Sequence, residues 1–514
     1  HVVKFGYKFK SVELQAEDAA ANNPQFFYDV RPDGTSPVPW KVFYAQRLPG
    51  QSGIANTTSR QYGMFAQDDW TVNDHLTLNL GVRWDYEVTP SYLNYVTPQR
   101  VINALNSQDP YAGAPPGQTY AQTLAKGGIN INDYTSNGHN RHAFRGEWQP
   151  RLGFSYDLFA DEAHVIHGGA GRAYDRNLYD YLQVEQTNLF FNIPGHSCDT
   201  GASNCLAWDP RYLQGQSVLE NLLIGGNSSQ EVDMMKNKLK APYSDQFSLG
   251  MSNTIGDWIT DATVTRVMSH DGFVFSLGNR YPDGRYFHNG SQPWNNGVPN
   301  MGGLILGYNG IATRTTQLLL SAQKPYTPES GWSSSLAYTY SHARQNRDIN
   351  EHYSFDEASI SDYPFITSNA VAKHRFVGTA AMDLPWGMNA SIKLTLATSL
   401  PKNDVACYGA ISPTGSSCMP VSGTARGAKF LFGGDIWGYR DVDVQLTKDF
   451  ILDKDTKIYA RFDILNLFNW KNYVDYRTSW GSGGIFRPDG AQYDHHGNIT
   501  FVPRTARFTI GLKF

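Results

Sequence analysis

The sequence predicts an all-β fold, a transmembrane antiparallel β-barrel, and three observations carry that prediction. The first is the stretch 62–86, YGMFAQDDWTVNDHLTLNLGVRWDY. In its second half Leu76, Leu78, Leu80, Val82, Trp84 and Tyr86 fall on one face, and Thr77, Asn79, Gly81, Arg83 and Asp85 on the other. That is the period of a strand and not of a helix. Its first half ends at Trp70 and turns through Val72-Asn73-Asp74, which makes a hairpin. Secondly, tight turns and long irregular segments alternate along the whole chain, the asymmetry of outer-membrane barrels with short periplasmic turns and long extracellular loops. Thirdly, no apolar run reaches the roughly 18 residues of a membrane-crossing helix, whereas a barrel strand needs only about 9–11.

Taken in order, the chain opens with a strand over 2–13, in which Lys4, Gly6 and Lys8 separate larger residues. Gly-, Pro- and Asn-rich sequence follows to about residue 60, broken by an aromatic run at 40–44. After the hairpin, 88–146 shows no periodicity, and a loop of such length is usually functional. In 151–158, Leu152, Phe154, Tyr156 and Leu158 alternate with Arg151, Gly153, Ser155 and Asp157, and a short turn leads to HVIHGGAGRAYD. The second long segment, 176–241, includes a predicted helix near 231–239. Strands at 243–255 and 258–270 flank Gly256-Asp257, and a loop runs to about Gly307. Three further hairpins follow, 313–324 with 332–342, 374–384 with 388–398, and 440–450 with 457–469, before a final strand over 504–514. The alternation template gives about fourteen strands.

The chain has 514 residues, more than one ordinary domain of about 100–200 and in keeping with one very large barrel. A net charge of −4 excludes the electrostatic footprint of a nucleic-acid binder. The mean hydropathy of −0.44 does not argue against a barrel, because alternation dilutes apolar content. Variable loop lengths argue against a soluble propeller, which would repeat about every 40–50 residues. The four cysteines fall in two local pairs, Cys198 with Cys205 and Cys407 with Cys418, each in a polar loop. Two short-range disulfides in an oxidising compartment are expected, the spacing not being that of a zinc site.

No motif for catalysis or cofactor binding emerges. Gly168–Asp175, GGAGRAYD, brushes against a phosphate loop but lacks its lysine and following helix, so its glycines are read as packing or bending a strand. Asp441, Asp443, Asp449, Arg461 and Asp463 share polar faces of adjacent strands and are read as a lumen-facing salt network rather than an enzymatic carboxylate pair. Asp494, His495 and His496 lack the spacing of a metal site. Asp348, Asn350, Glu351 and Asp356 do not match an EF-hand. There is no G-x-S-x-G elbow. Trp70, Trp84, Trp258, Trp386, Trp437 and Trp470 lie near strand ends, as membrane-interface girdles do. In the last nine residues, ARFTIGLKF, Phe508, Ile510, Leu512 and Phe514 share one face.

Several of these segments resemble TonB-dependent outer-membrane receptors, specifically the Oar-like group. They are HVVKFGYKF, YGMFAQDDWTVNDHLTLNLGVRWDYE, QPRLGFSYDL, AKHRFVGTAAMDLPWG, RFDILNLFNW and RFTIGLKF, in the family's order across nearly the whole chain. The terminal strand with its final Phe resembles the signal that presents bacterial barrels to their assembly machinery. The resemblance implies a 22-stranded barrel plugged by an N-terminal domain. Of these, about fourteen strands are expected here as its C-terminal part, with the plug and the TonB box upstream of His1 or in a partner chain. Eight missing strands is an even number, so the first strand is expected to run outward and the last to end at the periplasm. The resemblance further implies active uptake in the outer membrane of a Gram-negative bacterium. The loops would bind the ligand, a siderophore, glycan or peptide, and TonB would act through the plug. Loops 88–146 and 176–241 are the expected contact regions. The rival readings are a structural, adhesive or export-related barrel and a membrane-embedded hydrolase.

Overall fold

A computed structural model describes residues 1–17, 54–175, 231–286, 293–346, 359–368, 370–398, 439–452, 456–470 and 503–513, with isolated short pieces between them. Most of these residues belong to one 17-stranded sheet. Fourteen of its strands are long: β1 (Val2–Glu17), β2 (Ile54–Thr71), β3 (Leu76–Val88), β4 (Glu147–Asp157), β5 (His164–Tyr174), β6 (Tyr243–Ile255), β7 (Trp258–Leu277), β8 (Leu304–Lys324), β9 (Trp332–Gln345), β10 (His374–Leu384), β11 (Met388–Ala397), β12 (Arg440–Ile451), β13 (Lys457–Leu465) and β14 (Thr505–Lys513). Each pairs antiparallel with the next in sequence, from β1 against β2 to β13 against β14. This is an up-and-down meander, and the count agrees with the alternation read from the sequence. Among the described residues the outer edges of β1 and β14 face no further strand.

The register shows why the pattern suits lipid. One row across seven strands reads Leu78, Phe154, Gly168, Leu249, Val264, Leu318 and Tyr340. The next row, on the opposite face, reads Asn79, Gly153, Gly169, Ser248, Thr265, Gln317 and Ser341. The first face leaves Leu249 and Val264 at 59% and 50% exposed, which water would penalise and lipid rewards. The glycines of GGAGRAYD permit close packing. A Cβ on Gly168 would lie 2.7 Å from the Ser248 carbonyl oxygen and 2.9 Å from the Phe154 ring, so the motif belongs to a strand of the wall.

The short connections are tight by local chemistry. Asn73 accepts from the His75 and Leu76 amides at 2.9 and 2.8 Å through its side-chain oxygen, closing the β2–β3 turn. In the three-residue connection Pro385–Gly387 between β10 and β11, both Trp386 (φ 63°) and Gly387 (φ 67°) are left-handed, which turns the chain from Leu384 to its register partner Met388. Trp386 is 81% exposed there, and Trp258 meets Trp332 edge to face at 6.1 Å on the same rim, the expected girdle.

β7 and β8 extend well past their sequence-derived ends. A bulge at 269–273, with Asp271 at φ 57°, divides them. Below it side chains alternate between lipid and lumen. Above it Val274, Phe275, Leu277, Leu304, Ile305 and Leu306 are all buried, so the alternation disappears. The helix expected near 231–239 is not formed. Val232–Met235 is a strand that pairs in parallel with β8, Val232 opposite Leu304, because the exposed edge of that extension supplies backbone partners and an apolar bed. β13 ends at Leu465 rather than near Asn469, since Asn466 and Asn469 adopt φ of 49° and 51° and turn the chain.

The row through Val264 gives a direct test of which face meets lipid. Ala262→Arg, one lipid-facing position below Val264 and near mid-strand, is expected to destabilise the folded barrel by about 2–4 kcal/mol, and Thr265→Arg on the lumen face by much less. Urea titrations in lipid vesicles, read by heat-modifiable gel migration, measure the difference.

Candidate ligand-binding face

The segment 88–146 is a folded cap, not an irregular loop. It carries three short helices, α1 (Pro90–Leu93), α2 (Gln99–Leu105) and α3 (Tyr120–Lys126). α3 starts with a capping box: Thr119 Oγ1 accepts from the Gln122 amide, and Gln122 Oε1 accepts from the Thr119 amide at 2.9 Å. Leu105, Tyr120 and Leu124 are essentially fully buried against Met234, Leu304 and Leu306, so the cap's core is completed by the upper part of β8. A second cluster joins Tyr92, Met235, Leu239, Phe275 and Leu277.

One buried ion pair ties three stretches of chain together there. Arg141 donates to both oxygens of Glu185, at 2.6 and 2.8 Å, and also to the Met235 carbonyl at 2.9 Å and to Asn237 Oδ1 at 3.0 Å. The Met235 amide donates to Glu185 Oε1 at 2.9 Å. The guanidinium lies 4.6 Å from the centroid of the Tyr92 ring. The two side chains are 0% and 2% exposed. Burial raises the Glu185 carboxyl above the usual range, and the Arg141 hydrogen bonds and charge oppose the rise. Burial also pushes the Tyr92 hydroxyl up to about 12, and it stays a neutral donor to the Lys236 carbonyl oxygen at 2.6 Å.

Below the cap the lumen wall is polar and cross-linked. Asp463, 3% exposed at its side chain, accepts from Arg507 at 2.9 Å and lies 3.2 Å from Arg461, and Gln445 donates to it at 2.7 Å. Asp449 lies 3.5 Å from Lys513. Asp441 accepts from the Tyr439 hydroxyl at 3.3 Å, and Asp443 from the Asn466 amide at 3.0 Å. The carboxylates singled out in the sequence therefore sit in the expected salt and hydrogen-bond network. A second node, missed in the sequence, gathers on Asp261, which contacts His167 at 2.7 Å and accepts from Ser252 and Thr263 at 2.7 and 2.6 Å. Gly250 leaves the room, as a Cβ there would collide with Thr263 and His167.

Where β2, β3 and β4 meet the cap, a recess of about 170 Å³ opens on the lumen side. Asp85, Glu87, Glu147, Gln149 and Asp175 line it, together with Lys8 and Arg83. Asp85 is held by Arg83 at 2.5 Å and by Gln149, and Glu87 accepts from Ser59 at 2.7 Å. Glu147 stands directly opposite Asp85 in the register and is 7% exposed.

The predicted terminal-strand residues Phe508, Ile510 and Leu512 share the outward face and are 64%, 66% and 53% exposed, while Phe514 lies outside the described residues. Cys198 and Cys205, the acidic loop Asp348, Asn350, Glu351 and Asp356, and Asp494, His495 and His496 also lie outside them. For the second cysteine pair the backbone register alone is described. Asn403–Cys407 and Cys418–Ser422 form a two-stranded ribbon with Cys407 opposite Cys418.

Residues 1–398 match the outer membrane beta barrel domain family. The chain belongs to that family. It is an outer-membrane barrel, so its short-turn rim is periplasmic and its cap extracellular. Over 466 residues, 82% of this chain, it is 22% identical to the TonB-dependent transporter Oar of Myxococcus xanthus, of which it spans 37%. The outer-membrane transporter YddB of Escherichia coli superposes with a TM-score of 0.53 at 15% identity, over 99% of this chain and 50% of that one. The ferric enterobactin receptor PfeA of Pseudomonas aeruginosa gives 0.46 at 14%, over 99% and 51%. The chain thus spans about a third to a half of the length of these relatives.

Arg141→Ala is expected to cost the cap about 3–5 kcal/mol of local stability, because it leaves Glu185 buried without its partner. Hydrogen exchange should show amides of 92–141 and 232–237 losing protection, while those of β10 and β11 do not change.

Proposed function

We propose that this chain is the barrel wall and principal ligand-contacting surface of a TonB-dependent outer-membrane receptor for active uptake. One observation carries the reading: a hydrophobically cored extracellular cap stands on β7 and β8 over a polar lumen with a carboxylate-lined recess. A barrel that only fills or anchors in the membrane has no need of a folded binding platform above its lumen. The likeness to Oar supports the same reading. The function is transport rather than catalysis, with the cap and the segment 176–241 capturing the ligand.

Uptake also needs parts beyond this chain. Among the described residues the outer edges of β1 and β14 have no neighbouring strand, and lipid does not satisfy their backbone groups; in this reading further strands, eight in a 22-stranded barrel, pair with them. A plug would occupy the lumen and receive TonB. Phe508, Ile510 and Leu512, with Phe514, present the final strand to the assembly machinery. The disulfide Cys407–Cys418 is supported by the register that sets the two residues opposite each other, and Cys198–Cys205 by their shared loop.

The test is comparative depletion of small solutes and peptides from the medium by cells that carry the full native protein. Depletion that requires both TonB and an intact Arg141–Glu185 pair is expected. Depletion unaffected by loss of TonB would refute active uptake and favour an anchoring or export role.

A further inference from the structure

The outward face of the barrel carries arginines only a few residues above its apolar band, and the register sets them side by side. One row runs Arg172, Asp245, Met268, Arg314 and Arg344 across β5 to β9. The row beneath it runs Ala170, Phe247, Arg266, Thr316 and His342. The row beneath that is apolar and aromatic, with Leu249, Val264, Leu318 and Tyr340. The alternation of burial on β9 shows which way its basic residues point: His342 and Arg344 are exposed, whereas Ser341, Ala343 and Gln345, which flank and separate them, are buried.

Their height fits the membrane boundary. At about 3.4 Å per residue and a tilt of roughly 40°, the rise from Trp258 to Arg266 and from Lys324 to Arg314 is on the order of 20–26 Å, against an apolar band of about 25 Å. The basic rows therefore sit at the headgroup level of the outer leaflet. The periplasmic rim of the same strands carries Trp258 and Trp332 instead.

The charges are also available. Asp245 is the one carboxylate on these two rows, and it is taken by Arg172 at 2.7 Å. Among the described residues Arg266, Arg314 and Arg344 have no carboxylate partner. Arg266 donates to Thr316 Oγ1 at 2.5 Å, Arg344 donates to the Phe365 carbonyl, and Arg314 lies 4.0 Å from the centroid of the Phe365 ring. These contacts fix the guanidinium planes and leave their charge uncompensated. Three guanidiniums side by side at the headgroup level, without a carboxylate among the described residues, attract an anion, and their planar forks match phosphate oxygens.

We infer that Arg266, Arg314 and Arg344 form a binding site for the phosphate groups of an outer-leaflet glycolipid, whose acyl chains lie along Val264, Leu318 and Tyr340. The site needs only the outer-membrane placement of the barrel and is independent of what the cap binds.

The experiment uses the full protein purified from native membranes, exchanged into phosphatidylcholine nanodiscs with lipid A in its bisphosphoryl, monophosphoryl or dephosphorylated form, and read by native mass spectrometry. Bisphosphoryl lipid A should stay bound with at least tenfold preference over the dephosphorylated form. The triple variant R266Q/R314Q/R344Q should lose that preference, and R266K/R314K/R344K should keep part of it. Removing charge from a lipid-facing surface does not hinder insertion, and heat-modifiable migration verifies that each variant folds. Equal retention of the phosphorylated and dephosphorylated forms by the parent protein would overturn the proposal. So would an undiminished preference in the folded glutamine variant.

Discussion

Lipid offers a peptide group no hydrogen-bond partner, and this one constraint organises the molecule. Each backbone amide and carbonyl at membrane depth must find a neighbouring strand, so the chain can cross only as paired strands, and each strand must present one face to hydrocarbon and one to the lumen. The unbroken alternation of 76–86 is the mark of that constraint on sequence. The short hairpin turns follow from it as well. A strand that leaves lipid on the periplasmic side is returned within a few residues by devices such as the Asn73 side chain or the left-handed pair Trp386-Gly387. Where the constraint ends, the chemistry changes. Above the bulge in β7 the same strands are buried on both faces and become the floor of a water-facing domain.

That division explains what could be read from the sequence. β10 is found at the bounds expected of it, and β11 within a residue, because alternation runs from one tight turn to the long loops. The Asp463 network was legible because the carboxylates and Arg461 fall on the polar phase of adjacent strands. The cap was not. Its helices have four to seven residues, too few to display a period of 3.6. The local signals were Pro90 at the first position of α1 and Thr119-x-x-Gln122 at the start of α3, where Tyr120 and Leu124 are an apolar pair one turn apart. The segment 231–239 spaces Val232, Met235 and Leu239 as a helix would, yet pairing with β8 overrides that local preference. The upper parts of β7 and β8 were missed for the opposite reason: residues buried on both faces do not alternate. The Arg141–Glu185 pair joins residues far apart in sequence, and no spacing rule anticipates it.

The arginines of the outer rim show the limit of reading strands singly. Arg266, Arg314 and Arg344 are unremarked charges in three separate segments, and on the lipid phase of their strands they look like interruptions. Register turns them into neighbours, and the barrel's height places them where hydrocarbon gives way to headgroups. The extracellular end thus carries two unlike surfaces, an acidic recess toward the lumen and a basic band toward the leaflet, separated by a single sheet.

The claim on which the rest depends is that the capped rim faces outside the cell and the short-turn rim the periplasm. Single cysteines at Asn103, exposed on α2, and at Glu329, exposed in the β8–β9 turn, report it when intact cells are labelled with a membrane-impermeant maleimide against the parent protein as background. Asn103→Cys should label on intact cells, and Glu329→Cys only after the outer membrane is permeabilised. Labelling of Glu329→Cys on intact cells, with Asn103→Cys protected, would contradict the orientation and the barrel account built on it.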